Sequence, residues 1–531
     1  MKINLYKSNI SLLLENLFFI LIISILFISP LLEASWDVWS KTIIHILTIL
    51  TLLIFFLSGP NKFILLIHNF SGLFIIFFVW LIITLLNSQI KFNSELELHN
   101  WINYFLIFFM ATSFDKFVFH KLLKYVISVT IVIILIGFYQ FFIFKQLPTA
   151  TLINPNILAG YLVLVIPVMV YYLFDFIDRN SIQFKNILNE EKDIVISIFM
   201  LIILIIISSI CLVLTRSIGA IFAIISALLI QRYRFKGFII VIIIAMLGLV
   251  IKINDPELIN RYYWWKSTVN IICDKPIFGI GLGNFEFIYP KYRLSELSSI
   301  YSHSYYLQLC SEIGIIGVIL FLIIVIKYLT KMTNPYFKIS VLGCLIQNIF
   351  DYNLYIPANA ILFWIILASS VEKESFCNSE KSINEHELQY FKKVLYFLLI
   401  IFILIYINAV TKIYMSVKYF NMGRYFLENN LNLDLSENKF LNTIKVKNNL
   451  WYVYGNLGDL YLKKYNKENY VSYIFEAINE FEKGLRYNPY CAQYYYKLAL
   501  IYNKLRNKKQ FYYYKLAIVN DPLNKKLYKK W

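Results

Sequence analysis

The sequence predicts an all-α polytopic membrane domain over residues 1–411, followed by a small α-helical domain over 412–531. Three observations predict it. The chain is 59% hydrophobic and only 15% charged, which excludes a soluble globular class. Apolar stretches recur up to about residue 411, each close to the ~20 residues a helix needs to cross roughly 30 Å of hydrocarbon. After about Lys412 those runs stop, and helical periodicity with a polar face replaces them.

About twelve or thirteen apolar stretches can be counted, near 11–32, 40–58, 63–86, 99–114, 122–144, 156–176, 194–214, 216–231, 235–251, 312–329, 338–352, 354–371 and 393–411. Those at 99–114 and 216–231 are short, and the pair around Asp351 is closely spaced. The first lacks a small-residue cleavage site and is followed by further spans, so it reads as an anchor.

Loop charge sets the orientation. With the N-terminus cytoplasmic, nineteen Lys and Arg residues fall in the inner loops, among them Lys62, Lys185, Lys373 and Lys381. Only Lys41, Lys91, Lys145 and Arg216 fall in the short outer ones. This places the polar interruption from Lys252 to about Glu312 outside, and with thirteen spans the C-terminal domain as well. The net charge of +18 is then mostly this asymmetry plus a basic tail. It does not form the basic face of a folded domain that nucleic acid requires. The six cysteines show no metal-ligand spacing; Cys273 and Cys310 share the outer region and could pair.

The interruption carries the chemistry. Arg261-Tyr-Tyr-Trp-Trp-Lys266 sets Arg261 one helical turn from Trp264 and Trp265. The planar fork of Arg suits a diphosphate, and Trp and Tyr offer stacking faces to sugar rings. An interfacial aromatic belt would read the same way. Gly279-Ile-Gly-Leu-Gly283 lacks the strand-turn-helix context of a dinucleotide site and predicts a tight turn positioning Phe285, Tyr289 and Arg293. His303 stands at the border of the tenth span, where helical spacing puts it on one face with Leu307 and Cys310, and Gln308 with Glu312 on another. Gly314 and Gly317 predict close helix packing there. Asn154-Pro-Asn156 opens the sixth span as a cap or cavity wall. Arg216 lies in a short outer hairpin, where an Arg is costly unless it finds an anion.

In the C-terminal domain, Asn456-Leu-Gly-Asp-Leu-Tyr461, Ala477-x-x-x-Phe481 and Asn488-Pro489 recur as Leu498-Ala499-x-x-Tyr502, Tyr514-x-x-Ala517 and Asp521-Pro522. This resembles tetratricopeptide (TPR) repeats, with Gly484 where Ala is usual and the helices at 412–445 supplying a further pair. Such repeats imply a surface for a protein or polymer partner; a capping appendage without a ligand is the other reading.

The outer motifs occur in an order that resembles the O-antigen ligase and O-antigen polymerase superfamily. They are Asn154-Pro-Asn156, Thr215-x-Ser217-x-Gly219-Ala220, Arg261-x-x-x-Trp265, Pro276-x-x-Gly279-x-Gly281-x-Gly283-x-Phe285, and His303-x-x-Tyr306-Leu307-Gln308 with Glu312-x-Gly314-x-x-Gly317. The family-like core covers about 150–370. The resemblance implies a GT-C-like membrane glycosyltransferase in a bacterial cytoplasmic (inner) membrane. It would move a glycan from an undecaprenyl-diphosphate carrier to a lipid, glycan or protein acceptor hydroxyl at the outer face, by inverting transfer without metal or other cofactor. It implies His303 as the catalytic base or acceptor-positioning group, and Arg216, Arg261 and Arg293 as diphosphate contacts. Tyr306, Gln308, Glu312, Trp265 and Asn154 would support them. The family's Ser-Arg-Gly in the first outer hairpin is here Ser217-Ile218-Gly219, with Arg216 two residues earlier.

Ligation, polymerisation of repeat units and protein O-glycosylation stay open within the family. A glycolipid flippase would be expected to bury ionisable residues in its spans, which here are nearly charge-free. A membrane-anchored repeat scaffold would leave the upstream motifs unexplained.

Overall fold

A computed structural model describes residues 2–59, 72–180, 192–251, 255–371 and 385–524. Lys62, Lys185, Lys373, Lys381, the first part of the 63–86 stretch, Lys252 at the start of the outer segment and residues 525–531 lie outside the described residues. Among the described residues the regular structure is helical throughout. Seven helices are long and apolar enough to cross a membrane: Ile10–Leu31, Val38–Leu57, Lys116–Phe142, Pro155–Arg179, Lys192–Leu214, Tyr305–Lys331 and Lys393–Glu428. This is a multi-pass membrane protein. Gly72–Leu86, Ile218–Tyr233, Phe235–Gly248 and Pro357–Ala368 are shorter apolar helices. The 99–114 stretch belongs to Lys91–Thr112, whose first turns carry Lys91, Glu95 and Glu97. The 338–352 stretch is helical only over Pro335–Gln347.

The chain forms two compact units. The first comprises Met1–Ile75, Asn100–Lys252 and Leu322–Leu404. Among its long apolar helices the most enclosed is helix α1, Pro155–Arg179. Asn154 caps that helix by accepting from the Ile157 amide at 3.0 Å and donates to the Tyr352 hydroxyl at 2.9 Å. Pro155 sits at the first helical position, where no intrahelical N–H partner is needed. Helix α2, Pro335–Gln347, packs on it: the Ser340 hydroxyl donates to the Leu164 carbonyl at 2.6 Å. A Cβ at Gly343 would stand 2.9 Å from Val163. Where lipid removes the hydrophobic drive between helices, such close approach by small residues is what holds them. Gly160 has the same role against Asn353, whose carboxamide would lie 2.5 Å from an added Cβ. The Asn154–Gly160 motif is thus a packing and capping device. Arg216 sits exposed in the turn between Lys192–Leu214 and Ile218–Tyr233, with φ 58°.

The second unit comprises Ile76–His99, Ile253–Phe321 and Ile405–Trp531. The outer segment and the C-terminal helices therefore share one compact body. The change of composition at Lys412 falls inside one unbroken helix, Glu385–Glu428. From there the chain continues as Leu433–Val446 (α3), Trp451–Glu468 (α4), Ser472–Tyr487 (α5), Ala492–Lys504 (α6) and Lys509–Asn520 (α7). Phe440 of α3 packs where Gly423 leaves room, and Phe481 of α5 packs on Gly458 of α4. Gly484 is Gly because a Cβ there would come within 2.9 Å of the Tyr494 ring.

The segment at 255–321 is built on a broken helix. Tyr305–Lys331 (α8) is interrupted at Gly314, with φ 73° and ψ 172°, a region open essentially to Gly alone. The break leaves backbone groups that would have paired within the helix. Ile280 N donates to Ser311 O at 2.8 Å, Gly281 N to Glu312 O at 2.9 Å, and Ile315 N to Pro276 O at 2.9 Å. Each such bond contributes about 1 kcal/mol net, and leaving it unmade would be dearer. Gly279, Gly281 and Gly283 all have positive φ, so the turns of this segment can bring its amides up to the break. Gly314 is therefore a helix interruption as well as a point of close approach, and Gly317 leaves room for Trp80, whose indole N–H donates to Ile313 O at 2.9 Å.

A Cβ at position 314 would run into the Ile277 carbonyl, whereas one at Gly219 meets nothing within 4 Å. Gly314→Ala should lower stability by at least about 2 kcal/mol, from the forced φ alone. Gly219→Ala serves as the control that leaves it intact. Denaturant unfolding of the full chain in detergent reads this, and equal midpoints for the two variants would refute the role given to the break.

Candidate functional site

Helix α9, Pro256–Asp274, carries the first half of the site. Asp255 caps it through the Glu257 amide, 2.9 Å, and Pro256 sets its first turn. The 3.6-residue period then brings Glu257, Arg261, Trp264 and Trp265 to neighbouring turns. Arg261 is largely buried, its side chain 16% exposed, and pairs with the exposed Glu257 carboxylate at 2.7 Å.

His303 arrives from the other direction. It precedes α8 with φ 54°, so it does not share a helical face with Leu307 and Cys310 as the spacing predicts. The physical reason is a side-chain turn. Ser302 Oγ donates to Ser304 O at 2.7 Å and accepts from Ser304 N at 3.2 Å, which folds the backbone around His303. The imidazole then stacks on the Trp264 ring, centroids 4.4 Å apart and planes 19° from parallel. The Trp265 indole N–H donates to the His303 carbonyl at 3.3 Å. Both tryptophans thus act on His303, one on its ring and one on its backbone.

Gln308 and Glu312 lie behind it, one turn apart on α8. Glu312 is fully buried; one of its oxygens accepts from the Gly283 amide at 3.0 Å and the other from Gln308 Nε2 at 3.2 Å. Gln308 Oε1 in turn accepts from Ser302 N at 3.1 Å. A single chain of hydrogen bonds runs from the glycine-rich segment through Glu312 and Gln308 to the residue before His303. Because the Gly283 and Ser302 amides are donors, the Gln308 carboxamide can point only one way. Tyr306 is half-buried beside Tyr305 on the first turn of α8.

Burial, and secondly the Arg261 charge, push the His303 imidazole down to about 4; Glu257 works weakly against them. At neutral pH it is an uncharged ring beside a cation. The unfolded chain binds the proton below about 6.5, so this site lowers stability as pH falls from about 6.5 to about 4.

Arg293 stands apart from this group. It is 8% exposed, and its Nε and Nη2 donate to Asp521 Oδ1 at 2.8 and 2.7 Å, while Nη1 donates to Glu296 O at 2.8 Å. All three nitrogens are engaged inside the protein, unlike the diphosphate contact that its position implied. Phe285 and Tyr289 are core residues of the same body. Cys273 and Cys310 are both free thiols. Arg216 and Asn154 belong to the first unit, described above. Ser302 and Asp521 are the partners that motif reading missed, and Trp264 was read as a stacking face without His303 as its partner. Only the i, i+4 pair of Glu257 and Arg261 had a visible signal. Among the described residues no group of three or more His, Cys, Asp or Glu is placed to hold a metal ion.

No family model matches the chain. Its relatives include a protein of Rickettsia conorii named "putative polysaccharide ligase", 32% identical over 119 residues. Proteins of the same description from Rickettsia felis and Rickettsia typhi are 30% and 29% identical over 119 and 117 residues. Each match covers 19% of this chain and spans only 28–29% of the relative's length. The chain is a multi-pass helical membrane protein with a partial, distant similarity to proteins so named.

Proposed function

We propose that the protein is an O-antigen ligase-like glycosyltransferase. It moves a glycan from an undecaprenyl-diphosphate carrier to an acceptor hydroxyl at the outer face of the cytoplasmic membrane. The observation that carries the reading is a neutral imidazole stacked on Trp264 beside the Arg261 cation, held by the Glu312–Gln308–Ser302 chain. The polysaccharide-ligase names of the relatives agree with it.

In this reading the acceptor oxygen attacks the anomeric carbon as the bond from that carbon to the diphosphate oxygen breaks. The electron pair leaves with the diphosphate, and Arg261 stabilises the departing charge. The acceptor's proton passes to the His303 imidazole. Burial is the larger cause of the low His303 value and the Arg261 charge the smaller; a bound diphosphate would offset the second and so raise the basicity of the base. Arg216 remains a candidate second diphosphate contact. Arg293 has another task. The helix pairs from α4 to α7 are proposed as tetratricopeptide-like repeats that present the acceptor or a polymer partner; Pro489 and Pro522 close them at a repeat-like spacing.

Deleting the gene and examining surface glycan separates the branches of this reading. Long carrier-linked chains without attachment indicate ligation, a single attached unit indicates polymerisation, and unchanged glycan refutes both. His303→Ala should abolish transfer while membrane insertion and abundance stay normal; full transfer by that variant would remove His303 from the reaction. Arg261→Lys keeps the charge but loses the bidentate fork, and should reduce kcat/KM by roughly ten- to a hundredfold. Unchanged kinetics there would argue against a diphosphate contact. In pH profiles, the acid limb of kcat/KM reports the free enzyme and should lie near 4 for His303, with the limb of kcat at higher pH. Coincident limbs near 6.5 would count against the coupling to Arg261.

A further inference from the structure

Between Arg293 and His303 the chain has no regular secondary structure. Such a segment positions a reactive side chain only if its ends are tied down. Its far end is tied by Ser302 N to Gln308 and by Trp265 to the His303 carbonyl. At its near end, Leu294 N donates to Ser267 Oγ at 3.2 Å, on the same helix α9 that bears Trp264. The remaining anchor is Arg293, whose guanidinium reaches Asp521 at the end of α7 and folds back on Glu296 O. The C-terminal helices also grip the short helix just before it, Phe285–Tyr292. Trp451 meets Phe287 edge-on at 5.4 Å, and the Lys291 ammonium lies 5.5 Å over the Tyr490 ring.

We propose that Arg293 and Asp521 form a latch by which the C-terminal helix pairs set the position of His303, making both positioning residues and the helix pairs a structural part of the site. This rests on the glycosyltransferase reading for its effect on rate, but not for its effect on the segment itself. The pair is nearly dry, with side chains 6% and 11% exposed. Removing one partner therefore strands the other charge, and the segment is released from its anchor. The C-terminal helices could then pass the binding of a partner to the reacting group through one contact.

The test uses the full chain in detergent with a lipid-diphosphate glycan donor. Arg293→Gln and Asp521→Asn should each lower kcat by roughly ten- to a hundredfold, the scale of a small misplacement of a catalytic group. KM for the donor should stay nearly constant. The double variant should be no worse than either single one, because both remove the same interaction. Asp521→Glu, which keeps the charge, should recover most of the rate. Amide hydrogen exchange over 294–302 should speed up in both neutral variants while helix α9 stays protected. That readout needs no turnover, so it decides the latch even if the wild type transfers no glycan. Where a neutral variant fails to fold, Arg293→Lys, which keeps the pair but loses the bond to Glu296, should give intermediate exchange. A raised KM for Arg293→Gln with a silent Asp521→Asn and unchanged exchange would overturn the latch and return Arg293 to the diphosphate.

Discussion

The segment that carries His303 depends on backbone groups that a helix failed to use. When α8 breaks at Gly314, the carbonyls of Ser311 and Glu312 turn outward and take the amides of Ile280 and Gly281. Everything near His303 is referred to that junction. Glu312, buried at the break, binds the glycine-rich segment with one oxygen and Gln308 with the other. The same residue thus sets both the segment that leads into the core and the turn that presents the imidazole.

Much of the architecture was legible from composition and periodicity alone. Membrane crossing needs only length and apolarity, so the long helices could be counted on the page. The span near 99–114 blurred because Lys91–Thr112 begins with charged turns and becomes apolar only later. The stretch near 338–352 blurred for the opposite reason: residues 348–356 are largely apolar or amide-bearing, and most are buried, yet they are not α-helical. Asn348 accounts for part of this, its side chain accepting the Leu354 amide at 3.1 Å in place of a helical bond.

The candidate site was legible in residue type but not in geometry. Arg261, Trp265, His303, Gln308 and Glu312 were visible as an ordered set, and all lie in the second unit. That Trp264 and not Trp265 faces the imidazole turns on one residue of helical phase, which spacing alone does not resolve. The left-handed backbone at His303 is created by Ser302, a short-range turn with no periodic signature. The pairing of Arg293 was not legible because its partner, Asp521, is remote in sequence; only folding brings a carboxylate from the last helix pair to it.

Glu257 has a consequence for what Arg261 can select. The guanidinium is already engaged by a carboxylate tethered one helical turn away, so an incoming anion enters a competition, not an empty seat. A tethered rival acts at a high effective concentration, and a free monoanion gains little by replacing it. An anion of higher valence, carrying several oxygens to the same fork, gains more from the exchange. If Arg261 takes the diphosphate proposed above, the exposed Glu257 side chain has to give way to it, and its freedom to swing into solvent sets how readily that exchange occurs.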